Sequence, residues 1–389
     1  MGVLAALAAC GGDDGMSGDP DAASDIDATG CDRTPAAADR PRNVVVSLPY
    51  TDAGAQASRY RVATLDASGA LAFTSTTFDL GRSLIGTITF TPDGEVGIVA
   101  QDDGSLGVFR FEADGATVAV VHARFDGSFY ADRVFMDPAG QVAYVIDPNT
   151  RNNGGGIYRV DIGCDGTLTD RGLWIAARSP GGLVLRGNRA LLAAKDVGAS
   201  SPAGHDVHWL DLSVDPPVRL GSADIFGDDA IFGGAAVTDD GQFGLIGDVS
   251  GFSSEANSVA VVRIVGDVLT SAQRLTPVED PLSIVASPSN DAAMVASGFG
   301  DALIALDYAP PAATPFSVRG PLTYAGARPE LPGDAVMIDR GGLRGLVLVA
   351  ENLGVRRVGF AGSGAVTDLG KTPTGTGTGN IVGTIGVQP

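Results

Sequence analysis

The chain has 389 residues, 44% of them hydrophobic, and a formal net charge of −20. This length is ample for a large buried core, and a chain above about 250 residues usually forms two domains unless its fold is a closed repeat. The acidic charge argues against nucleic acid and anionic membrane surfaces as partners, because both bind clustered Lys and Arg. No apolar run reaches the ~18 residues that a membrane-spanning helix needs.

Residues 1–10, MGVLAALAAC, have the pattern of a truncated bacterial lipoprotein signal that ends in a lipobox. In this interpretation Cys10 is the lipidated residue, and the true start lies upstream because no basic region precedes the apolar stretch. The alternative is an ordinary apolar N-terminus with a chance cysteine. The lipobox predicts an exported protein in the bacterial cell envelope, periplasmic or outer-membrane associated, that reaches the membrane only through its lipid anchor.

Residues 11–42 are rich in Asp, Gly, Ala, Ser and Pro and show no apolar period of 2 or 3.6 residues. Such a segment cannot bury enough apolar surface to fold, so we predict a disordered acidic tether. The stretch DIDATG at 25–30 faintly resembles a calcium-binding loop. Its twelfth position is Ala36 instead of Glu, so we reject that interpretation.

Beyond Cys10 the chain has two cysteines, Cys31 and Cys164. In an exported protein a remaining pair more often forms a disulfide than a metal site, and two thiols cannot complete a structural zinc site. A bridge between Cys31 and Cys164 would fasten the tether to the folded body. Two unpaired buried thiols are the alternative.

From Asn43 onward the chain repeats about every fifty residues. The clearest mark is a tight turn between two apolar strands, and six such turns end at residues 46 to 53 positions apart. Gly and Asn tolerate the positive φ that short hairpin turns require. The turns are Pro92-Asp93-Gly94, Pro138-Ala139-Gly140, Arg186-Gly187-Asn188, Asp239-Asp240-Gly241, Pro288-Ser289-Asn290 and Arg340-Gly341-Gly342.

The strand after each turn is short and apolar, as in EVGIVAQD at 95–102 and QVAYVID at 141–147. A strand of alternating residues follows and ends in an Asp- and Gly-rich turn, as in VFRFEADGAT at 108–117. No stretch has a convincing helical period. Each repeat therefore holds four strands, a to d from the innermost outward, which is the composition of a propeller blade.

Counting gives seven blades, but residues 43–80 supply only strands b, c and d of the first. The last strand, IVGTIGV at 381–387, has no blade of its own and shares Gly-Thr-Ile with LIGTITF at 84–90. We predict an all-β, seven-bladed β-propeller of four-stranded antiparallel blades, forming one domain over 43–389. The C-terminal strand completes the first blade and closes the ring, which removes open sheet edges.

Two stretches now carry a resemblance to a known family. One stretch has the family's order of turn and strand residues, FTPDGEVGIVAQDDGSLGVFRF at 90–111. The other is Tyr144-Val145-Ile146-Asp147, which follows DPAGQVA as the motif does in that family. Over about 43–389 the chain resembles the lactonase-like seven-bladed propellers, including the YVTN repeat proteins. The resemblance implies the propeller fold and a family that includes lactone hydrolases as well as exported proteins without an assigned activity. No lactonase catalytic residue can be matched to a position in this chain.

The remaining motifs give no catalytic residue and no metal site. His122 falls on an outermost strand, and His205 and His208 are three residues apart, a spacing that places them on opposite faces of a strand. The Gly-rich TGTGTGN at 374–380 lacks the Lys-Ser/Thr ending and the following helix of a phosphate loop. We interpret it as a flexible linker to the last strand. No cofactor is implied with certainty.

Acidic residues lie at or near the end of strand b in most blades, on the face that also carries the longest b–c loops. These loops are 147–156, 196–206 and 248–257. An acidic ring there would hold a cation such as Ca²⁺ or attract a cationic partner. The alternative is that Asp simply ends strands well. The residues are Asp102, Asp147, Asp196, Asp248, Asp301 and Glu351.

These observations favour a lipid-anchored, extracytoplasmic propeller that acts as a non-enzymatic binding or scaffolding module. A lactonase-like hydrolase is the competing hypothesis, and a Ca²⁺-dependent surface protein is a third. We expect a monomer whose ligand is an unidentified protein, peptide or carbohydrate. Because the tether leaves from the face opposite the long loops, those loops should point away from the membrane.

Overall fold

The computed structural model describes residues 31–149, 155–198, 202–249 and 257–389. Within these ranges the elements are β-strands and two short 3-10 turns, Gly341–Leu343 and Thr378–Asn380. The strands of the first half are β1 (Arg42–Tyr50), β2 (Gln56–Leu65), β3 (Leu71–Asp79), β4 (Ile88–Phe90), β5 (Val96–Ala100), β6 (Leu106–Phe111), β7 (Val118–Phe125), β8 (Arg133–Met136), β9 (Val142–Asp147), β10 (Gly156–Ile162), β11 (Leu168–Ala176), β12 (Arg178–Arg186), β13 (Arg189–Lys195) and β14 (Val207–Asp211). Those of the second half are β15 (Val218–Ala223), β16 (Phe232–Val237), β17 (Phe243–Asp248), β18 (Ser258–Val265), β19 (Val268–Leu275), β20 (Pro281–Ala286), β21 (Ala292–Ser297), β22 (Ala302–Tyr308), β23 (Phe316–Pro321), β24 (Ala335–Met337), β25 (Leu346–Glu351), β26 (Gly354–Phe360), β27 (Val366–Pro373) and β28 (Ile385–Val387).

The described strands form seven four-stranded sheets, which we number as blades 1 to 7 in chain order. Blade 1 has the order β28-β1-β2-β3, and blades 2 to 7 use β4–β7, β8–β11, β12–β15, β16–β19, β20–β23 and β24–β27. Neighbouring strands are antiparallel, and the innermost strands contact those of the adjacent blades, with β28 touching both β4 and β24. The all-β, seven-bladed propeller is therefore confirmed, and one ring replaces the two domains that length alone suggests.

Each predicted turn between strands a and b contains a residue with positive φ, the conformation for which Gly and Asn are suited. These turns lie on one side of the ring, which we call the turn face. The opposite side carries the b–c and d–a connections, and we call it the loop face. The positive-φ residues are Gly94, Gly140, Gly187, Gly241, Asn290 and Gly341.

The core lies between blades, because each blade has two faces and a neighbour covers each of them. The cluster between blades 2 and 3 shows the pattern: Val96 and Ile98 of β5 pack with Val145 of β9 and Val160 of β10, all fully buried. Burial on both faces explains why the b strands read as continuous apolar runs instead of alternating ones.

The C-terminal strand completes blade 1. Val387 of β28 pairs with Val44 and Ile385 pairs with Val46, in antiparallel register. The segment 374–380 before it is fixed to the blade, because Arg59 donates to the Gly379 carbonyl (2.6 Å). The segment links β27 to the last strand as predicted, and Arg61 holds its other end by donating to the Thr374 carbonyl (2.8 Å).

The segment preceding β1 lies across the turn face. A disulfide joins Cys31 to Cys164, with their Cα atoms 5.2 Å apart. Beside it Arg33 is buried, pairs with Asp93 (2.9 Å) and donates to the Gly163 carbonyl (2.9 Å). The segment thereby contacts blades 2 and 3.

These contacts change the predicted boundary of the tether. Asp39 accepts the Gly342 amide (2.8 Å) of blade 7, and Arg42, fully buried, already belongs to β1. The prediction of a disordered segment over 11–42 was therefore too long at its C-terminal end, because a disulfide and buried arginines fix residues 31–41. Residues 1–30, including Cys10 and the predicted lipobox, lie outside the described residues. In the described part of the chain, no helix is long and apolar enough to cross a membrane.

Candidate functional site

The acidic residues at the ends of the b strands lie on the loop face, and each has a partner nearby. Four of them accept the backbone amide of a residue in the d–a connection, which ties that connection to strand b. These pairs are Asp102 with Leu84 (2.8 Å), Asp147 with Tyr130 (2.8 Å), Asp248 with Ile231 (3.3 Å) and Asp301 with Leu331 (2.8 Å).

The other two acids are also paired, Asp196 with Arg178 (2.7 Å) and Glu351 with Arg356 (2.8 Å). Among the described residues, no group of three or more His, Cys, Asp or Glu could hold a metal ion. The placement favours the alternative that acids end and fasten these strands. The middles of the three long loops, 150–154, 199–201 and 250–256, lie outside the described residues.

A small cavity of about 130 Å³ occupies the central channel, where the innermost strands meet. Six blades contribute to its wall, which combines small residues with larger apolar ones. One arginine and one aspartate are its charged members, and they face the same space from blades 3 and 7. The contributing residues from blades 2 to 7 include Thr87, Arg133, Gly182, Gly234, Ser283 and Asp334.

Arg133 and Asp334 occupy equivalent positions in their strands. Arg133 pairs with Ile146 of β9, and Asp334 accepts the Ala350 amide of β25 through its carbonyl. In a seven-bladed ring, blades 3 and 7 lie nearly opposite each other. Arg133 also donates to the Gly233 carbonyl of blade 5 (3.3 Å), so its side chain crosses the channel.

Burial raises the pKa of Asp334, although the Thr384 hydroxyl, the Ile385 amide and the charge of Arg133 pull it down. The Thr384 hydroxyl lies 2.9 Å from both Asp334 Oδ2 and the Gly86 carbonyl. One hydroxyl proton cannot serve both acceptors. The hydroxyl therefore donates to one of these two acceptors at a time.

A larger cavity of about 450 Å³ opens above the channel on the loop face. Its wall is mostly apolar, including Ile85, Leu282, Phe299, Leu331 and Ile381. Phe299 is 80% exposed and Ile85 is 73% exposed, and a cavity rimmed by large exposed apolar side chains is typical of a binding site.

The exposed apolar side chains are held in place by buried or paired acids. The Phe299 amide donates to Asp280 (3.0 Å), and the Leu331 amide donates to Asp301 (2.8 Å). The predicted acidic ring therefore contributes to this site indirectly, by fixing the loops that present the apolar rim.

The two cavities form one funnel. A neck of about 110 Å³ shares Ile85 and Leu282 with the mouth and shares Arg133, Ser283 and Asp334 with the channel. A molecule entering from the loop face meets an apolar mouth first and a charged, partly buried pair below it. This order suits an amphipathic ligand.

The histidines lie away from the funnel. His122 is on the outermost strand β7, as predicted, and His208 is buried in β14, where its Nε2 faces the Ala194 carbonyl (3.0 Å). His205 contacts Ser222 (2.8 Å) in the loop before β14. In the described parts of the chain, no histidine lines the three cavities of the funnel.

No protein-family model and no curated protein sequence matches the chain. Solved structures do. The fold is similar to that of proteins named lactonases. A Pseudomonas aeruginosa periplasmic gluconolactonase aligns with 14% identity and a TM-score of 0.60, over 90% of this chain and 99% of its own. A Bacteroides fragilis protein, named as a candidate 6-phosphogluconolactonase, aligns with 11% identity and a TM-score of 0.62, over 91% and 99%. A Lactobacillus plantarum protein aligns with 13% identity and a TM-score of 0.64, over 89% of this chain and 99% of its own. At such identities the likeness is one of fold.

Sequence reasoning did not identify Arg133 or Asp334. The signal was present, because Arg133 begins β8 and Asp334 directly precedes β24, and the rest of both innermost strands is apolar. Aligning the a strands on their pairing with strand b would have placed both at the same level of the channel.

Proposed function

We propose that this protein is a binding module that takes up a small amphipathic molecule in the funnel. The observation that carries the proposal is the order of surfaces along one axis, with exposed Phe299 and Ile85 at the mouth and Arg133 with Asp334 below. The mouth, about 450 Å³, falls within the usual range for small-molecule sites. The apolar part of the ligand occupies the mouth, and a polar end reaches Arg133.

The site fits an extracytoplasmic protein, and we keep the lipid anchor and the cell-envelope location as part of the proposal. A disulfide between Cys31 and Cys164 suits an oxidising compartment. Because residues 31–41 lie on the turn face, an anchor upstream of them would direct the funnel away from the membrane.

A lactone hydrolase is the second candidate, and the raised pKa of Asp334 beside Arg133 favours it. A carboxylate whose pKa is raised is a stronger base, and it can accept a proton from water as the water oxygen attacks a lactone carbonyl. The Arg133 guanidinium would stabilise the developing oxyanion. The ring C–O bond then breaks, and the departing alkoxide receives the proton.

One set of measurements separates the two functions. The purified chain is mixed with octanoate, with δ-decalactone and with glucono-δ-lactone, and both melting temperature and lactone turnover are followed. A binding module is stabilised by octanoate and δ-decalactone and turns over neither lactone above the buffer rate. A hydrolase turns over at least one of them, and Asp334→Asn abolishes that turnover.

Variants locate the effect. Arg133→Gln should weaken octanoate binding about tenfold, because it removes a charged hydrogen-bond donor from a partly buried site. Arg178→Gln is the matched control, since Arg178 lies on the same face in an exposed ion pair outside the funnel. Equal losses in both variants, or no stabilisation by any of the three compounds, would contradict the funnel as the site.

A further inference from the structure

A separate cavity, of about 410 Å³, lies at the outer rim of the ring between blades 3 and 4. We call it the rim groove. One wall is formed by β10 and β11 of blade 3, and the other by the loop of blade 4 that contains Asp215 and Pro216. Among the residues that the structure describes, none lines both the groove and the funnel.

The blade 3 wall carries an aromatic platform. Trp174 stacks on Tyr144 with ring centroids 4.5 Å apart and planes 18° from parallel. The Trp174 indole N–H donates to Asp215 across the groove (3.0 Å). The indole is therefore held in one orientation while remaining partly exposed at the groove surface.

Charged side chains of alternating sign line the rest of the groove. Asp161 accepts from Arg171 (2.7 Å) and from Arg159 (3.2 Å), and Arg159 also pairs with Asp215 (3.3 Å). Two arginines and two aspartates cancel in net charge. The groove thus presents adjacent hydrogen-bond donors and acceptors in planar groups without favouring a charged ligand.

An ion pair in the corresponding strands of blade 6 shows what is special about blade 3. There Arg319 pairs with Asp307 and donates to the Gly364 carbonyl of the next blade (2.7 Å). An Arg–Asp pair at this level thus occurs in both blade 3 and blade 6. Of these two blades, blade 3 is the one in which an aromatic platform lies beside the ion pair, at the wall of a cavity.

We propose that the rim groove binds a neutral sugar ring, independently of the funnel. The apolar C–H face of a pyranose rests against Trp174, and its hydroxyl groups, which both donate and accept, bond to Asp161, Asp215 and the two arginines. The volume accommodates one or two such rings. The absence of net charge explains why a neutral ligand is preferred over a phosphate or carboxylate.

Intrinsic fluorescence tests this directly, because the chain has two tryptophans and the other, Trp209, is buried in blade 4. The full chain is titrated with glucose, galactose, mannose, N-acetylglucosamine, maltose and cellobiose. At least one should give a saturable change in emission. The change should vanish in Trp174→Phe, where Trp209 alone emits, and calorimetry should show that affinity falls with it.

Arg171→Gln should weaken binding about tenfold by removing a charged donor, while Arg319→Gln, the matched pair in blade 6, leaves it unchanged. Retention on cellulose or agarose beads, with elution by the free sugar, would show that the bound sugar ring can be part of a polysaccharide. Binding without retention would identify a free sugar.

Three results would overturn the proposal. One is the absence of any fluorescence or calorimetric response across the panel. Another is tighter binding of glucuronate or glucose 6-phosphate than of glucose, by tenfold or more, which would make the groove an anion site. The third is an equal loss of binding in Arg171→Gln and Arg319→Gln.

Discussion

Asp206 and His208 are two buried titratable groups at the start of β14, and burial moves their pKa values in opposite directions. Burial raises the pKa of Asp206 to about 6, although the amides of Phe226 and Ile225, which bond its carboxylate, pull it down. Burial lowers the pKa of His208 to about 4. The protonation of each group therefore differs between the folded and the unfolded chain, and it does so over nearly the same pH range.

The two groups have opposite effects on stability. Between about pH 4 and pH 6 folded Asp206 holds a proton that the unfolded chain has lost, so the contribution of Asp206 to the free energy of unfolding falls as pH rises. Between about pH 4 and pH 6.5 unfolded His208 is protonated and the folded side chain is neutral, so its contribution falls as pH decreases. Each effect amounts to about 3 kcal/mol at most, and the two largely cancel.

We therefore expect Asp206→Asn to make stability fall more steeply on acidification from about pH 6.5 to 4, and His208→Gln to reverse that slope. Urea unfolding at several pH values measures the free energy of unfolding of each variant. Asp211→Asn is the control, because the Ser213 hydroxyl and amide lower the pKa of Asp211 to about 2 and its titration falls below this window. Parallel pH profiles for all the variants would contradict the assignment.

The contacts of individual side chains are predicted from the sequence less completely than the fold. The spacing of His205 and His208 predicts side chains on opposite faces of a strand, and in the structure His205 contacts Ser222 while His208 is buried against Ala194. Arg133 and Asp334 were not identified, because they are about two hundred positions apart in sequence. Their meeting depends on which blades face each other across the channel, and no local pattern encodes that.

The innermost strands join the blades through side chains as well as packing. Thr87 of blade 2 accepts the Val134 amide of blade 3 (2.7 Å), and Asp334 of blade 7 accepts the Ile385 amide of blade 1 (3.3 Å). At the closure Thr384 contacts both Asp334 and the Gly86 carbonyl of blade 2 (2.9 Å each). Thr384, fully buried, thus links three blades.

We expect Thr384→Val to lower the free energy of unfolding by about 1–3 kcal/mol, because it leaves buried acceptors without their donor while keeping the side-chain shape. Deleting 380–389 should do much more, opening the ring and causing misfolding or aggregation. Chemical unfolding and light scattering measure the two effects.

Thr367→Val is the control for the substitution, since Thr367 lies on the outermost strand β27 and is exposed. A deletion variant with an unchanged melting curve would contradict non-covalent closure by the last strand.

The closure could be predicted because Gly-Thr-Ile occurs twice at equivalent positions, at 86–88 and 383–385. In the structure these copies have the same role: the Ala100 amide donates to the Thr87 carbonyl, and the Ser47 amide to the Thr384 carbonyl. A repeated sequence can therefore show which strand occupies which position in a blade. It does not reveal which loop residues meet above the channel, because Phe299 and Ile85 belong to different blades in non-repeated connections.

For the whole molecule, calcium provides a test of how the acidic face is used. Asp102, Asp147, Asp248 and Asp301 each bond to a backbone amide, and Glu351 is fully buried in an ion pair with Arg356. Since these carboxylates already have partners, we expect the melting temperature to be the same in millimolar CaCl₂ and in EDTA. A calcium-dependent rise of several degrees would support the third hypothesis, a Ca²⁺-dependent surface protein.

The disulfide sets how firmly the N-terminal segment is held to the ring. Cys31 and Cys164 are 133 positions apart, so the bridge closes a long loop and restricts the unfolded chain strongly. Non-reducing peptide mass spectrometry should find the Cys31–Cys164 linkage. The double variant Cys31→Ser/Cys164→Ser should lose about 2–5 kcal/mol of unfolding free energy.

The double variant should still form the ring, because the blades close through β28 and not through this segment. Its circular dichroism spectrum should therefore match that of the oxidised protein at low temperature, while residues 31–41 become accessible to protease. Arg33→Gln is the matched comparison: it removes the ion pair with Asp93 on the same segment but keeps the bridge, and it should not expose the segment. Two free thiols in the native protein, or equal protection with and without the bridge, would show that packing alone holds the segment on the turn face.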